Sequence, residues 1–281
     1  MIEPASSEIR FGEFGMKVAV AGKGGVGKTL IAGTLSRLLA RDGFRVLAVD
    51  ADPAMNLAYA IGIPHQIASK IVPIAENRRL IEERTGVKPG SAFGAFISLT
   101  PTVRDIAEKF GVLGPDNVRL LVVGTIRYGG SGCACPANTL IRSLLRHITM
   151  VRGDVVVMDM EAGLEHLGRA TVKGFDVLLC VVEPGAQSIE TAERINRLAK
   201  DINVKEVLAV GNKVTSSSDE RFIEKSASEI GLEVIGMVPF DPEVLKADRM
   251  RVAPIDLAPS SPAISAIKNL RDALKARLGW S

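Results

Sequence analysis

The stretch Gly22-Lys23-Gly24-Gly25-Val26-Gly27-Lys28-Thr29 constrains this chain more than any other eight residues. It fills the pattern G-x-x-x-x-G-K-[ST] completely, between an apolar run at 17–21 and a segment of helical periodicity at 28–42. Such a loop works only where a strand feeds it and a helix leaves it. Its glycines let backbone N–H groups converge on phosphate oxygens, and the helix N-terminus adds the positive end of its dipole. The backbone of Gly24, Gly25, Val26 and Gly27 is therefore expected around the phosphates, with Lys28 reaching the β- and γ-phosphates and Thr29 facing Mg2+.

The rest of the chain repeats this strand-then-helix grammar. Apolar runs at 45–49, 118–123, 154–158, 176–182, 207–210 and 233–238 have strand length, and helical periodicity marks 137–150, 189–200, 218–230 and 263–278. Runs such as VVVM and VLLCVV are apolar on both faces, which suits a parallel sheet covered by helices on each side. The expected architecture is α/β, an open, doubly wound, mainly parallel sheet forming one domain over 16–281. Between 63 and 117 the pattern loosens into two expected helices, at 74–85 and 102–110, read as a helical cover. Residues 1–15 carry no periodicity; they form a disordered extension, or translation starts at Met16.

Composition excludes several function classes. Thirty-five basic against 32 acidic residues leave a formal charge of +3, which gives no polybasic footprint for nucleic acid. One Trp, two Tyr and nine Phe are too few for base-stacking platforms. No apolar stretch approaches the roughly 20 residues of a membrane span, and the N-terminus lacks a signal-peptide pattern. The expectation is a soluble, cytoplasmic protein that binds neither nucleic acid nor membrane. The terminal segment 263–278 alternates apolar and basic residues at helical spacing, and packing on the sheet explains that better than a lipid surface does.

Carboxylates follow two of the strands. The second strand ends in Val49-Asp50-Ala51-Asp52-Pro53, at the sheet edge where this architecture binds ligands. Asp50 is placed to support Mg2+ and its waters, and Asp52 to orient or deprotonate the attacking water. VVVM leads into Asp159-Met160-Glu161-Ala162-Gly163, where Asp159 ends an apolar strand as a residue holding a Mg2+-bound water does. Gly163 can bring its backbone N–H to a γ-phosphate and sense hydrolysis. Glu161 and Glu165 receive no catalytic role. After the strand VLAV, Asn212 can use its carbonyl and amide on an adenine edge. Thr215 stands where an Asp would read guanine, so ATP is favoured over GTP.

Three cysteines are present. Cys133 and Cys135 are separated by one residue, poor geometry for a disulfide but good geometry for two sulfurs on one side of the backbone. Pro136 suits the first position of a helix, which puts Cys135 at the N-cap, where the dipole favours thiolate. Two thiolates do not complete a tetrahedral site; a symmetric dimer supplies four. Ligand type leaves nickel and zinc both open. Cys180, inside VLLCVV, reads as inert core.

GKGGVGKT resembles the deviant Walker A loop of the MinD/ParA/nitrogenase-iron-protein class of P-loop ATPases. With GCACP, R-x-L-L-R-H and MDMEAGLEHLGR, the chain from about residue 17 to its C-terminus closely resembles CooC-type ATPases, the nickel-handling maturation factors of carbon monoxide dehydrogenase. The resemblance implies a homodimer sandwiching ATP, with Lys23 crossing to the nucleotide of the partner subunit, Asp52 serving hydrolysis, Asn212 and the Pro-containing loop Val238-Pro239-Phe240-Asp241 at the base, and Cys133 and Cys135 of both subunits binding one Ni2+ or Zn2+. It implies that hydrolysis alters that site to release metal to a client, carbon monoxide dehydrogenase. Two other outputs stay open: an ATP-driven reductase with a dimer-bridging [4Fe–4S] cluster, and a MinD/ParA-like positioning ATPase. The clustered cysteines favour the metallochaperone, because the iron-protein family draws its two from separate segments.

Overall fold

A computed structural model describes residues 15–279 except 53, 90–97, 99, 125–135, 151–154, 161–173 and 203. Its first strand, β1 (Lys17–Gly22), shows how the sheet is built. Val18 and Val20 point into one core while Ala19 and Ala21 point into another, and all four are fully buried. A strand buried on both faces needs helices above and below it.

After β1 come α1 (Lys28–Arg41), β2 (Val46–Ala51), α2 (Leu57–Ile61), α3 (His65–Ala68), α4 (Arg78–Thr85), α5 (Ile106–Phe110), β3 (Val112–Leu113) and β4 (Arg119–Val122). The chain continues through α6 (Pro136–Met150), β5 (Val155–Met160), β6 (Val177–Val182), α7 (Ala186–Asp201), β7 (Glu206–Val214) and α8 (Ser217–Glu229). It closes with β8 (Glu233–Pro239), α9 (Pro242–Met250), α10 (Pro254–Leu257) and α11 (Pro262–Arg277). The eight strands form one sheet in the order β3-β4-β2-β5-β1-β6-β7-β8. Every pairing is parallel except the short antiparallel pair β3–β4.

One face packs Ala19, Met158, Leu178 and Cys180 beneath α4, α6, α7 and α8. The other packs Val20, Val157 and Leu179 beneath α1, α2 and α11. Cys180 is completely enclosed, and burial pushes its thiol up to about 12, which keeps it inert. Helix α11 buries Ile264, Ile267, Leu270 and Leu274 against β8 and α1, so its apolar stripe is occupied by the sheet. Among the described residues no helix is long and apolar enough to cross a membrane.

The structure departs from the expected elements where local rules act over few residues. The helix expected at 74–85 is two pieces, a turn at Ile74–Glu76 and α4, because the Asn77 backbone leaves the helical region. Its side chain then accepts the Leu80 N–H at 3.0 Å and caps α4. The helix expected at 102–110 shrinks to α5. Strand β2 runs through Ala51, so Asp50 lies inside the strand rather than past its edge. Strand β7 extends to Val214 through register shifts on both sides of Gly211, an irregularity with no period to read. Helices α2 and α1 touch so closely that a Cβ at Gly33 would stand 2.6 Å from that of Ala60.

At the C-terminal end of α1, Arg37 is 3% exposed and bonds to Asp116, to Asp256 and to the Ile61 carbonyl. Arg41, one turn on, shares both carboxylates. This cluster ties α1 to α2, to the turn at Pro115–Asn117 and to α10.

Candidate functional site

The loop leaves β1 at Gly22 and enters α1 at Lys28, as the sequence requires. Gly27 has φ +95°, and a Cβ there would lie 2.2 Å from Asn212 Nδ2, so glycine is imposed by both conformation and space. Lys28 is nearly buried; its Nζ donates to the Lys23 carbonyl at 3.4 Å and lies 4.0 Å from Asp52 Oδ2. Both contacts are long. They hold the ammonium over the loop and are readily exchanged for phosphate oxygens.

Asp50 and Asp159 are directly paired positions of β2 and β5, and both side chains are fully buried. Burial raises each carboxyl to about 7; the Asp159 charge adds to the effect at Asp50, while the Thr29 hydroxyl and Lys28 oppose it at Asp159. Thr29 Oγ1 donates to Asp159 Oδ2 at 2.6 Å, and Asp159 Oδ1 has no hydrogen-bond partner among the described residues. A desolvated carboxylate one partner short, beside a loop threonine, is the donor set a hard divalent cation requires. Thr29, Asp159 and, behind them, Asp50 therefore fit Mg2+.

Asp50 also organises the turn that follows it. Its Oδ1 accepts the Asp52 N–H at 3.1 Å and its Oδ2 the Leu57 N–H at 3.0 Å. Asp52 is thereby held at the sheet edge, accepting the Ala54 N–H at 2.8 Å through Oδ1 and turning Oδ2 toward Lys28. Its side chain is 20% exposed, which leaves room for a water.

On the other flank, Asn212 is buried and Nδ2 donates to the Val26 carbonyl at 2.6 Å. The residue expected at the base thus also braces the loop. Pro239 pairs with Val214 at the ends of β8 and β7, and the Phe240 N–H donates to the Val214 carbonyl at 2.9 Å. Asp241 accepts the Glu243 and Ala263 N–H groups, pinning that loop to α9 and α11. Two residues given no role by the sequence join this flank. Lys213, at φ +58°, donates to the Gly25 carbonyl at 2.7 Å and to Glu183 Oε2 at 3.2 Å, and Lys23 Nζ lies 3.7 Å from Glu183 Oε1. The available signal for Glu183 was its position one residue past the end of β6, beside the loop-bearing strand.

Cys133, Cys135 and Gly163 lie outside the described residues, as do Glu161 and Glu165. Helix α6 does begin at Pro136, the first position expected for it. Among the described residues no group of three or more His, Cys, Asp or Glu could hold a metal ion.

Comparison with known proteins gives the family. The CobQ/CobB/MinD/ParA nucleotide binding domain matches residues 17–250. An uncharacterized ATP-binding protein of Methanocaldococcus jannaschii is 47% identical, over 83% of this chain and 88% of its own. The carbon monoxide dehydrogenase accessory protein CooC of Rhodospirillum rubrum is 44% identical, over 87% of this chain and 91% of its own. Among solved structures, the cell division ATPase MinD of Pyrococcus furiosus shares the fold, with a TM-score of 0.67 at 20% identity over 94% of this chain and all of its own. A loop, a buried acidic pair and a sheet order of this kind, in a chain so similar to CooC, identify it: it belongs to the CobQ/CobB/MinD/ParA nucleotide-binding family of ATPases, as a CooC-type member.

Proposed function

We propose that this ATPase is a metallochaperone that pairs two subunits around ATP and around one metal ion held by Cys133 and Cys135 of each, for maturation of carbon monoxide dehydrogenase. The likeness to CooC along nearly the whole chain carries the client assignment. The Cys-Ala-Cys segment supplies the chemistry for a soft or borderline metal, with nickel as cargo and zinc as its competitor at four thiolates.

In the ATPase step, N–H groups from Gly24 to Gly27 and the N-terminus of α1 bind the β- and γ-phosphates, and Lys28 neutralises them. Thr29 and Asp159, with Asp50 behind, would hold Mg2+, which would supply neutralisation of phosphate charge. Asp52 accepts a proton from the attacking water and holds it in line. Lys23 of the partner subunit stabilises the leaving charge, so hydrolysis proceeds only in the dimer. Gly163 registers the γ-phosphate through its N–H, while Asn212 and Pro239 hold the adenine.

The test is anaerobic metal titration of the protein and of a Cys133→Ser/Cys135→Ser variant, reading stoichiometry and dimerisation together. One nickel or zinc per dimer, lost in the variant, is expected. An oxygen-sensitive iron–sulfur chromophore would move the protein to the reductase reading; no metal in either protein would remove the chaperone reading.

A further inference from the structure

In the trans role proposed above, Lys23 serves a partner's nucleotide, yet in the single subunit its amine rests on its own chain. Its Nζ stands 3.7 Å from Glu183 Oε1, with the two side chains 35% and 26% exposed. The other carboxylate oxygen accepts from Lys213 Nζ at 3.2 Å, and Lys213 also donates to the Gly25 carbonyl at 2.7 Å. Glu183 therefore sits between two lysines, Lys213, which also bonds the Gly25 carbonyl, and Lys23, a residue of the loop itself.

The backbone holds this carboxylate in place. Glu183 follows β6, whose Val181 pairs with Gly22 of β1, so the residue emerges beside the loop. Its N–H donates to Ser188 Oγ at 3.0 Å, which fixes the turn into α7. Lys213 occupies a left-handed position in the irregular end of β7, the neighbour of β6 on the side away from β1, and its Nζ reaches both Glu183 and the Gly25 carbonyl.

We infer that Glu183 is a positioning residue that parks Lys23 in cis in the separate subunit and hands it over when ATP brings two subunits together. The inference rests on the trans role proposed for Lys23. The contact is suited to exchange: it is the longer of the two Glu183 ion pairs, and a partly exposed pair at that length is weakly held. Departure of Lys23 leaves Glu183 paired with Lys213, so no carboxylate is stranded. A bound triphosphate carries several negative charges against the single charge of Glu183, and it outcompetes Glu183 once it is within reach. Parking thus sets a threshold for pairing, low enough for ATP to overcome and high enough to limit association without it.

The test combines Glu183→Gln with Lys23→Ala. In Glu183→Gln the ATP-dependent dimer, followed by analytical ultracentrifugation, is expected to tighten about two- to twentyfold, since each dimer releases two such pairs. Amine-directed labelling of the nucleotide-free protein should rise at Lys23 more than at Lys213, a change that a merely structural role would not produce. An unchanged or weaker dimer, or unchanged labelling at Lys23, would overturn the inference. Weaker ADP binding by the variant would also overturn it, because Glu183 would then serve the loop through Lys213. Lys23→Ala separates the two ideas. If it pairs normally with ATP, the trans role falls; if it fails to pair while Glu183→Gln matches the parent, only the parking role falls.

Discussion

Charged side chains are buried beside both ends of helix α1, and only one end satisfies them. At the C-terminal end, Arg37 places Nη1 at 2.9 Å from Asp256 Oδ2 and 2.6 Å from the Ile61 carbonyl, Nη2 at 2.9 Å from Asp256 Oδ1, and Nε on Asp116. Burial works against the guanidinium charge, but the hydrogen bonds to Asp256 and Asp116 outweigh it and hold the pKa above its ordinary value. Asp116, despite its own burial, is held below the usual carboxylate range by Arg37 and Arg41. At the N-terminal end, Asp50 and Asp159 face each other with one shared need for positive charge, and Asp159 Oδ1 has no partner among the described residues. A charge cluster that completes itself is part of the fold. One left short is a place where a ligand of opposite charge completes it.

The largest effect should come from breaking the completed end. Replacing Arg37 by Met keeps the volume of the stem but removes the bonds to Asp256 and to the Ile61 carbonyl, and leaves Asp116 and Asp256 with Arg41 alone. Loss of several charge-assisted hydrogen bonds from one buried guanidinium costs about 2–3 kcal/mol, and the loss should appear as a lower midpoint in urea. Nucleotide affinity of the folded fraction should survive, because none of the groups bonded to Arg37 belongs to the phosphate loop. A loss under about 1 kcal/mol would show that the cluster is no more structural than a surface pair.

The unfinished end should respond in the opposite direction. Both carboxyls titrate near 7 in the folded chain and near the ordinary value of 3.8 when unfolded. Between those values the folded state binds more protons than the unfolded state, so stability falls as pH rises. The nucleotide-free protein should accordingly lose stability from about pH 4 to pH 7 through these groups. Asp159→Asn removes one charge and leaves an oxygen for the Thr29 hydroxyl. At pH 8 it should raise apoprotein stability by about 1 kcal/mol or more, flatten the pH slope, and weaken the dependence of ATP affinity on Mg2+. Thermal melts with and without Mg2+ and ATP at several pH values check all three. A steeper slope in the variant would remove the desolvated-pair account.

The same contrast explains what could be read from the sequence. The loop, the parallel strands and the placement of Lys28, Thr29 and Asp159 follow from eight motif residues and from runs apolar on both faces, because those signals are local and carry a period. The N-terminal end of α1 was therefore legible. The C-terminal cluster was not, since Arg37 meets Asp116 and Asp256 only after the chain has crossed the sheet, and Asp116 is held in a left-handed turn that no periodicity announces. Asn212 was legible as a residue of the site, but its bond to the Val26 carbonyl depends on the irregular end of β7. Helix α9 was missed although Asp241-Pro242, a cap followed by a first-position proline, announces it. Short helices such as α3 and α10, four residues each, are set by packing rather than by any repeat.

The smallest effect should come from Arg41, which separates charge from burial within one cluster. Arg41 bonds Asp116 through Nε at 2.7 Å and approaches Asp256 through Nη2 at 3.5 Å, so it shares both carboxylates with Arg37. It differs in standing 39% exposed, where water competes for its guanidinium and screens its charge. Truncation to Ala leaves each carboxylate still paired to Arg37, and no buried charge is stranded. The expected loss is below about 1 kcal/mol and should shrink further in high salt, whereas the Arg37→Met loss should be nearly independent of salt. Urea titrations of the two variants at low and high ionic strength make the comparison. Equal losses would mean that net charge, rather than exclusion from water, holds this end of α1, and the distinction between the completed and the unfinished end would then lose its physical basis.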